Sequence, residues 1–468
     1  MTFPRAGATY QPPITPFAGW TRKGKNGLLA PLESAPHVGA FAPPGTGKSR
    51  RWLAQSAILW PGSAVVSSSK DDLMQMVASR RPGKSALIDL RPINAPFYPK
   101  DFVSMAFDPT ASITCMDDAE ALTKSLLSTT SISLSGSTFR TGGDNGPWNE
   151  LAFAPLTCLL YGASPRGTGQ GIRWAVEGAE NVEKLPPGGA AHQLKFSPGW
   201  ASAAIWSEDP LYLARVESVL DMDAKQRDSV KMTVTKVLTA WLMTARHDRD
   251  LPALDLSFLD EPGSTLYLLT PADGAVAVQA IVLFDQLIDR QRRKVAQWEE
   301  FSRLGMFLDE ITNTPIPRLP QYLAESRGLG CHICYACQAG AQLDAIYGPL
   351  QGKAIRAVTP ATLIMYGSHE HDIMESAAFW AGKATRSQQS YDHNGDNKNT
   401  NRHFGNALEG AELMPRSRDE ARLIPRGEPG EMVELMDFDD FIVYLDELRS
   451  AAAKSQAVQS RRQSLKSV

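Results

Sequence analysis

The stretch Ala42-Pro43-Pro44-Gly45-Thr46-Gly47-Lys48-Ser49 decides the fold. An apolar run, His37–Phe41, precedes it, and a helical pattern, Arg50–Leu59, follows and stops at Pro61-Gly62. A strand, a glycine-rich turn, Lys-Ser and a helix in that order fit a phosphate-binding loop, with Ala42 where the first glycine usually stands. The chemistry dictates the residue types. Gly45 and Gly47 let backbone amides curl around phosphates, and Lys48 reaches the β and γ phosphates. The Ser49 hydroxyl suits Mg2+, and the helix points its positive end at the anion. Pro44 through Arg50, including Thr46, is therefore the candidate segment for ATP with Mg2+.

Outward from this loop, Ser63–Val66 and Ala86–Asp89 read as strands and Asp71–Ser79 as a helix. Such alternation predicts a parallel α/β sheet. From Trp148 to about His247 the signals are helical: Trp148–Tyr161, Tyr212–Leu220 and Gln226–Thr244, with a Gly/Pro-rich break at Leu185–Gly189. Strands resume at Thr265–Leu269, Met306–Leu308, Cys331–Cys337 and Thr362–Tyr366, with a long helix over Ala275–Arg293. The expected organisation is an extended arm (1–35), an α/β nucleotide-binding domain (36–145 and 248–445), an inserted all-α domain (146–247) and a basic, Ser-rich tail (446–468). Residues 386–406 are polar and Asn-rich and read as a mobile loop.

Phe307-Leu308-Asp309-Glu310 is the natural partner of the loop. An apolar strand ending in an acid delivers Asp309 to Mg2+, and the adjacent Glu310 is the candidate general base for the attacking water. Gln338 ends the next strand and could contact the γ phosphate or that water. Arg327, in the preceding loop, could enter a neighbouring subunit's site and neutralise charge in a loose phosphoryl transition state. On spacing alone, Gln338 and Arg327 could equally be plain core or surface residues.

Composition narrows the classes. The chain has 468 residues, enough for two or three domains, with 43% hydrophobic and 21% charged residues, so a large core can form. The net charge of −3 excludes a nucleic-acid coat protein but not a small DNA contact. Five cysteines make no disulfide framework and suggest the cytosol. No run reaches the ~18 apolar residues that span a bilayer. Cys331-x-x-Cys334-x-x-Cys337 lacks a nearby fourth ligand and reads as a buried strand. Ser368-His369-Glu370-His371-Asp372 reads as a polar loop. The run Asp289–Lys294 could touch DNA, but more often such a run is a solvated helix end.

Several segments together resemble the coupling-protein ATPases of type IV secretion and conjugation systems. Val65–Leu73 is similar to that family's second strand with its Lys-acidic ending, Phe107-Asp108-Pro109 to its aromatic–Asn/Asp–Pro element, and Trp148-x-x-x-Ala152 to the opening of its helical insertion. The fullest similarity runs from Met306 to Gly348, where Arg327 falls at the family's arginine-finger position and Gln338 at its phosphate-sensing Gln. Arg386-Ser387 and Leu413–Arg426 resemble its C-terminal elements.

The resemblance implies a RecA-like fold with an inserted all-α domain and a ring, usually a hexamer. Such a ring takes a relaxase–DNA complex to a secretion channel and pumps single-stranded DNA. Two features depart from the family. Ser68-Ser69-Lys70-Asp71-Asp72 replaces its Asp-Pro-Lys-Gly-Glu, and the phosphate loop begins at Ala42 without the usual preceding transmembrane segment. The chain is then a soluble variant, a subunit that borrows a membrane-anchor partner, or a shortened chain. It is expected in the cytoplasm, peripheral at the inner membrane face through such a partner. The rival readings are an FtsK- or HerA-like pump for double-stranded DNA, and an ATPase receptor for secreted proteins that touches no DNA.

Overall fold

A computed structural model describes residues 15–23, 28–32, 34–92, 98, 102–131, 146–184, 196–244, 250–271, 276–391, 397–447 and 449–450. In chain order, β1 (Trp20–Lys23), β2 (Leu28–Pro31) and β3 (Val38–Phe41) lead to the phosphate loop. A π-helical turn (Lys48–Leu53) then runs into α1 (Ala54–Leu59), followed by β4 (Ser63–Ser68), α2 (Asp71–Ala78) and β5 (Ser85–Asp89). Among the described residues six helices come next: α3 (Met116–Ser128), α4 (Gly146–Ala163), α5 (Ile172–Ala179), α6 (Trp200–Ser207), α7 (Pro210–Leu220) and α8 (Ala224–Thr244). Alternation resumes with β6 (Thr265–Leu269), α9 (Ala277–Gln297), β7 (Leu304–Leu308), α10 (Leu319–Glu325) and β8 (Cys331–Cys337). Then come α11 (Gly340–Tyr347), α12 (Pro349–Val358), β9 (Ala361–Met365), α13 (His371–Trp380), β10 (Lys383–Tyr391), β11 (Asn397–Asn406), α14 (Gly410–Leu413), β12 (Glu420–Pro425) and β13 (Glu431–Glu434). Among the described residues no helix is long and apolar enough to cross a membrane.

The chain divides into two compact units, Met1–Trp60 with Pro360–Val468, and Pro61–Thr359. In the second unit the strand order is β8-β7-β4-β6-β5, with every pair parallel. β4, β6, β7 and β8 are buried along their whole length. Parallel strands covered on both faces need continuous apolar sequence rather than alternation, and TLYLL and LGMFL supply it. Helix α9 returns the chain from β6 to β7 and buries Ile281, Phe284, Leu287 and Ile288, a stripe at helical spacing.

The helices between β5 and β6 pack around Trp174, Trp200 and Trp241, all at most 3% exposed. The Asp108 carboxylate ties this block to its surroundings. It accepts from Thr110 N (2.9 Å) and Thr110 Oγ1 (2.7 Å), capping the turn Pro109–Ser112, and from Ile172 N (3.1 Å) at the start of α5. A Cβ on Gly171 would lie 2.1 Å from that carboxylate, and its φ of +76° also favours glycine. Trp241 Nε1 donates to the Phe107 carbonyl (3.2 Å). The aromatic–Asp–Pro element thus works as a structural joint. The helical block starts earlier than 146, because α3 joins it: Thr157 Oγ1 on α4 donates to Thr123 Oγ1 on α3 (2.9 Å).

In the first unit the order is β2-β1-β13-β12-β9-β3, with β3 and β9 parallel and the other pairs antiparallel. Two segments differ from the sequence reading. The arm contributes β1 and β2, and Phe17 and Trp20 are buried, with Trp20 Nε1 donating to Gln55 Oε1 (3.3 Å). Residues 386–406, read as a loop, fall in the antiparallel ribbon of β10 and β11 where they are described. A ribbon outside the main strand set needs no apolar face, so hydrophobic patterning cannot reveal it. Its tip, 392–396, and the Ser-rich tail beyond Ser450 lie outside the described residues, as does the Gly/Pro break at 185–189.

Candidate nucleotide-hydrolysis site

The phosphate loop follows β3, whose residues are all buried. Gly45 (φ +77°) and Gly47 (φ +95°) curl the backbone in the left-handed region. A Cβ at Gly47 would lie 2.7 Å from the Arg51 side chain, while one at Gly45 meets nothing within 4 Å. Only glycine meets both demands at Gly47, and the curl orients successive amides as an anion nest. Thr46 Oγ1 donates to the Pro43 carbonyl (2.8 Å), and Lys48 Nζ donates to the Ala42 carbonyl (2.9 Å), spanning the loop from inside. The helix opens with a π turn, a feature frequent at functional sites. Fully buried Trp52 anchors it, its Nε1 donating to the Phe17 carbonyl (3.1 Å). The Arg50 side chain turns to Asp437 (2.9 Å) and Asp439 (2.7 Å), and Arg51 to Asp419 (2.6 Å). The hydrogen bond with Asp437 raises the Arg50 guanidinium above its ordinary value.

In the other unit, β7 delivers Asp309 and Glu310. Asp309 N donates to the Ser67 carbonyl (2.8 Å), extending the β4–β7 register, and Ser68 Oγ donates to Asp309 Oδ2 (3.3 Å). Glu310 has φ +57° and ψ +70°, a left-handed conformation that a side chain with Cβ rarely adopts. Such strain typically costs about 1–3 kcal/mol and gathers at functional positions. It turns the half-buried Glu310 side chain between two donors: Thr312 Oγ1 reaches Oε1 (2.9 Å) and Gln338 Nε2 reaches Oε2 (3.0 Å). Gln342 holds the Gln338 backbone in turn, with Gln338 N donating to Gln342 Oε1 (3.2 Å). The structure therefore brings Glu310 and Gln338 together.

Arg327 lies in the turn Ser326–Leu329 before β8. It is exposed and forms no ion pair with the described residues. Gly330, at φ +71°, ends this turn, where a Cβ would lie 2.7 Å from Phe301.

Sequence reasoning missed Ser68, Thr312 and Gln342. Thr312 had a local signal, a hydroxyl residue two positions after the acid. Ser68 had none until the strand order placed the end of β4 beside that of β7.

The cysteine run and the basic run have partners within the fold. Cys331, Cys334 and Cys337 are buried on β8; burial pushes the Cys331 thiol up to about 12 and the Cys334 thiol higher still. Among the described residues no group of three His, Cys, Asp or Glu side chains could hold a metal ion, and this includes His369 and His371. The basic run on α9 is spent on acids: Arg290 grips both oxygens of Asp260 (2.6 and 2.7 Å), Lys294 shares that carboxylate, Arg292 pairs with Glu325 (2.7 Å) and Arg293 with Asp118 (2.7 Å).

The parallel sheet and the glycine curl after β3 have the fold of RecA-like phosphate-loop proteins. Residues 303–425 match the family model described as the TraM recognition site of TraD and TraG. A search of curated proteins returns no match. Among solved structures, the fold is similar to the bacterial conjugative coupling protein TrwBdeltaN70 in its unbound form, with TM-score 0.57 and 16% identity over 91% of this chain and 95% of that one. TrwB with the non-hydrolysable ATP analogue ADPNP gives 0.55 and 15%, over 92% and 90%. TrwB with ADP and Mg2+ gives 0.54 and 16%, over 92% and 97%. The chain is thus similar in fold to the conjugative coupling protein TrwB over about nine-tenths of its length, and it matches the TraD and TraG family model over residues 303–425.

Proposed function

We propose that the chain hydrolyses ATP to recruit and move single-stranded DNA, or a relaxase–DNA complex, toward a secretion or conjugation channel, working as a ring of identical subunits. The observation that carries this reading is Glu310. A strained glutamate at a strand end, held at both oxygens, sits in a fold similar to coupling proteins over nine-tenths of the chain.

The donor sets suit the cofactors. The nest of amides from Gly45 to Arg50, closed by Pro44 and joined by the Lys48 ammonium, suits a polyphosphate. The Ser49 hydroxyl and the Asp309 carboxylate are the hard oxygen ligands that Mg2+ prefers, and Ser68 orients the second of them. When bound, Mg2+ offsets charge on the phosphate oxygens. Glu310 takes the proton of the water that attacks the γ phosphorus, as the bond to the leaving ADP oxygen breaks. Gln338 holds Glu310 and reports the γ phosphate, and Arg327 completes the site of an adjacent copy. The family named for TraM recognition suggests a relaxosome protein as a docking partner for residues 303–425.

The test is ATP turnover against protein concentration, with and without single-stranded DNA. Specific activity should rise with concentration and rise further with single-stranded DNA, and Lys48→Ala or Glu310→Gln should abolish it in a folded protein. Stronger stimulation by duplex DNA would favour the double-stranded pump. Turnover indifferent to any DNA, with binding of secreted proteins, would favour the receptor. Undiminished turnover in either variant would sink the site assignment.

A further inference from the structure

Helix α9 carries a buried carboxylate that plays no part in the chemistry above. Asp285 is 2% exposed, in the middle of a helix that also buries Ile281, Val282, Phe284 and Ile288. Its two oxygens accept from hydroxyls on two other helices, Ser125 Oγ from α3 and Tyr322 Oη from α10. The Tyr322 ring is fully buried, and the Arg318 guanidinium lies over it at 5.4 Å. Burying a carboxylate costs several kcal/mol unless hydrogen bonds offset it, and an apolar residue at the same place is often as stable or more so. A feature of that kind serves arrangement rather than stability.

What it arranges is α10. Leu319–Glu325 is only seven residues long, too short to hold its own direction. Its orientation therefore rests on anchors. The Tyr322–Asp285 bond fixes its middle, and the Arg292–Glu325 pair (2.7 Å) fixes its end, both from α9. The turn carrying Arg327 begins at the next residue, Ser326, which is fully buried, and Gly330 closes it. Arg327 is thus an exposed side chain on a turn whose approach is fixed at both ends.

We propose that Asp285 is a positioning residue for Arg327: by pinning Tyr322 it sets the direction in which α10 and its turn present the guanidinium to the nucleotide site of a second copy of this chain. The inference rests on the reading that Arg327 acts on a neighbouring subunit, and the experiment separates the two.

Tyr322→Phe keeps the ring and removes only the hydroxyl. Its nucleotide affinity, measured by titration with a fluorescent ATP analogue, should match wild type, because the phosphate loop is untouched. Its turnover should fall about fivefold, the rate equivalent of one lost hydrogen bond of about 1 kcal/mol. The discriminating readout is complementation in mixed assemblies. Activity should return on mixing with a Lys48→Ala chain, which supplies a well-placed Arg327, and should not return with an Arg327→Ala chain. Ser125→Ala removes the opposite hydroxyl and should show the same pattern with a smaller loss. Wild-type turnover in both variants alongside an inactive Arg327→Ala overturns the inference alone, as does equal rescue by both partner chains. Full turnover by Arg327→Ala overturns the underlying reading and the inference with it.

Discussion

Replacing Thr312 by valine probes the Glu310 carboxylate with little other disturbance, since valine keeps the branched shape and loses one hydroxyl. That hydroxyl donates to Glu310 Oε1 at 2.9 Å, while Gln338 Nε2 holds the other oxygen at 3.0 Å. A hydrogen bond to a charged acceptor contributes about 1.5–3 kcal/mol net. Thr312 and Glu310 are both half-buried, so water can partly replace the lost donor and the lower end, about 1.5 kcal/mol, applies. Were the bond needed to hold the carboxylate toward the attacking water, kcat would fall roughly tenfold. Thr312 is no part of the phosphate loop, so KM for ATP should stay within about twofold, the signature of an interaction that matters only in the transition state. Phosphate release at saturating ATP, with a single-turnover measurement to isolate the chemical step, reads both quantities. Thr312→Ser keeps the donor and should recover most of the rate. A kcat within about twofold of wild type in Thr312→Val would show that the hydroxyl does not hold the carboxylate for the chemical step, and an equal loss in Thr312→Ser would assign the effect to packing.

Three further outcomes follow from local geometry. Asp108→Ala removes the side-chain cap of the turn Pro109–Ser112 and an acceptor for the first amide of α5, so urea denaturation should show a loss of about 2–3 kcal/mol, from two caps at about 1 kcal/mol each and an orphaned donor. At pH 8 an alkylating reagent should modify Cys115 alone in the native protein and all five cysteines after unfolding, because Cys158, Cys331, Cys334 and Cys337 are buried and burial pushes the Cys158 and Cys331 thiols up to about 12. Asp437, hydrogen-bonded to Arg50, has its carboxyl held below the usual range; its stabilisation is therefore full above the unfolded value of ~4 and is lost as pH falls through the folded one. The stability gap between wild type and Asp437→Asn, measured by denaturation across pH, should accordingly be present at neutral pH and close in acid.

The parts of the fold legible in the sequence were those whose signal is local. Thr265–Leu269 and Cys331–Cys337 stand where their apolar runs place them, because a strand buried on both faces must be apolar throughout. Gly47 was legible because the curl of the loop admits no Cβ there. The rest depends on partners remote in sequence. Trp20 looked like part of an extended arm because its burial depends on Gln55 and on residues beyond 430. The β10–β11 ribbon is a separate two-stranded sheet whose sequence carries no hydrophobic pattern. The α9 basic run invited a nucleic-acid reading because its acids, Asp118, Asp260 and Glu325, lie at least 30 residues away in sequence.

Two positions break local rules without any gain in stability, and this bears on how the site is built. A glycine at 310 would relieve the left-handed backbone, and a leucine at 285 would fill its place on α9 without burying a carboxylate. Residues that cost stability persist when the surrounding structure over-determines them, and here it does: two donors fix Glu310, and two hydroxyls fix Asp285. Arg327, by contrast, breaks no rule, and among the described residues its side chain forms no ion pair, so its own surroundings give no reason for its place. The reason is found one step back, in the anchors of α10. If Arg327 acts on a neighbouring copy, as proposed, its guanidinium cannot be positioned by contacts of its own, so its precision has to be supplied by the rigidity of the segment that carries it.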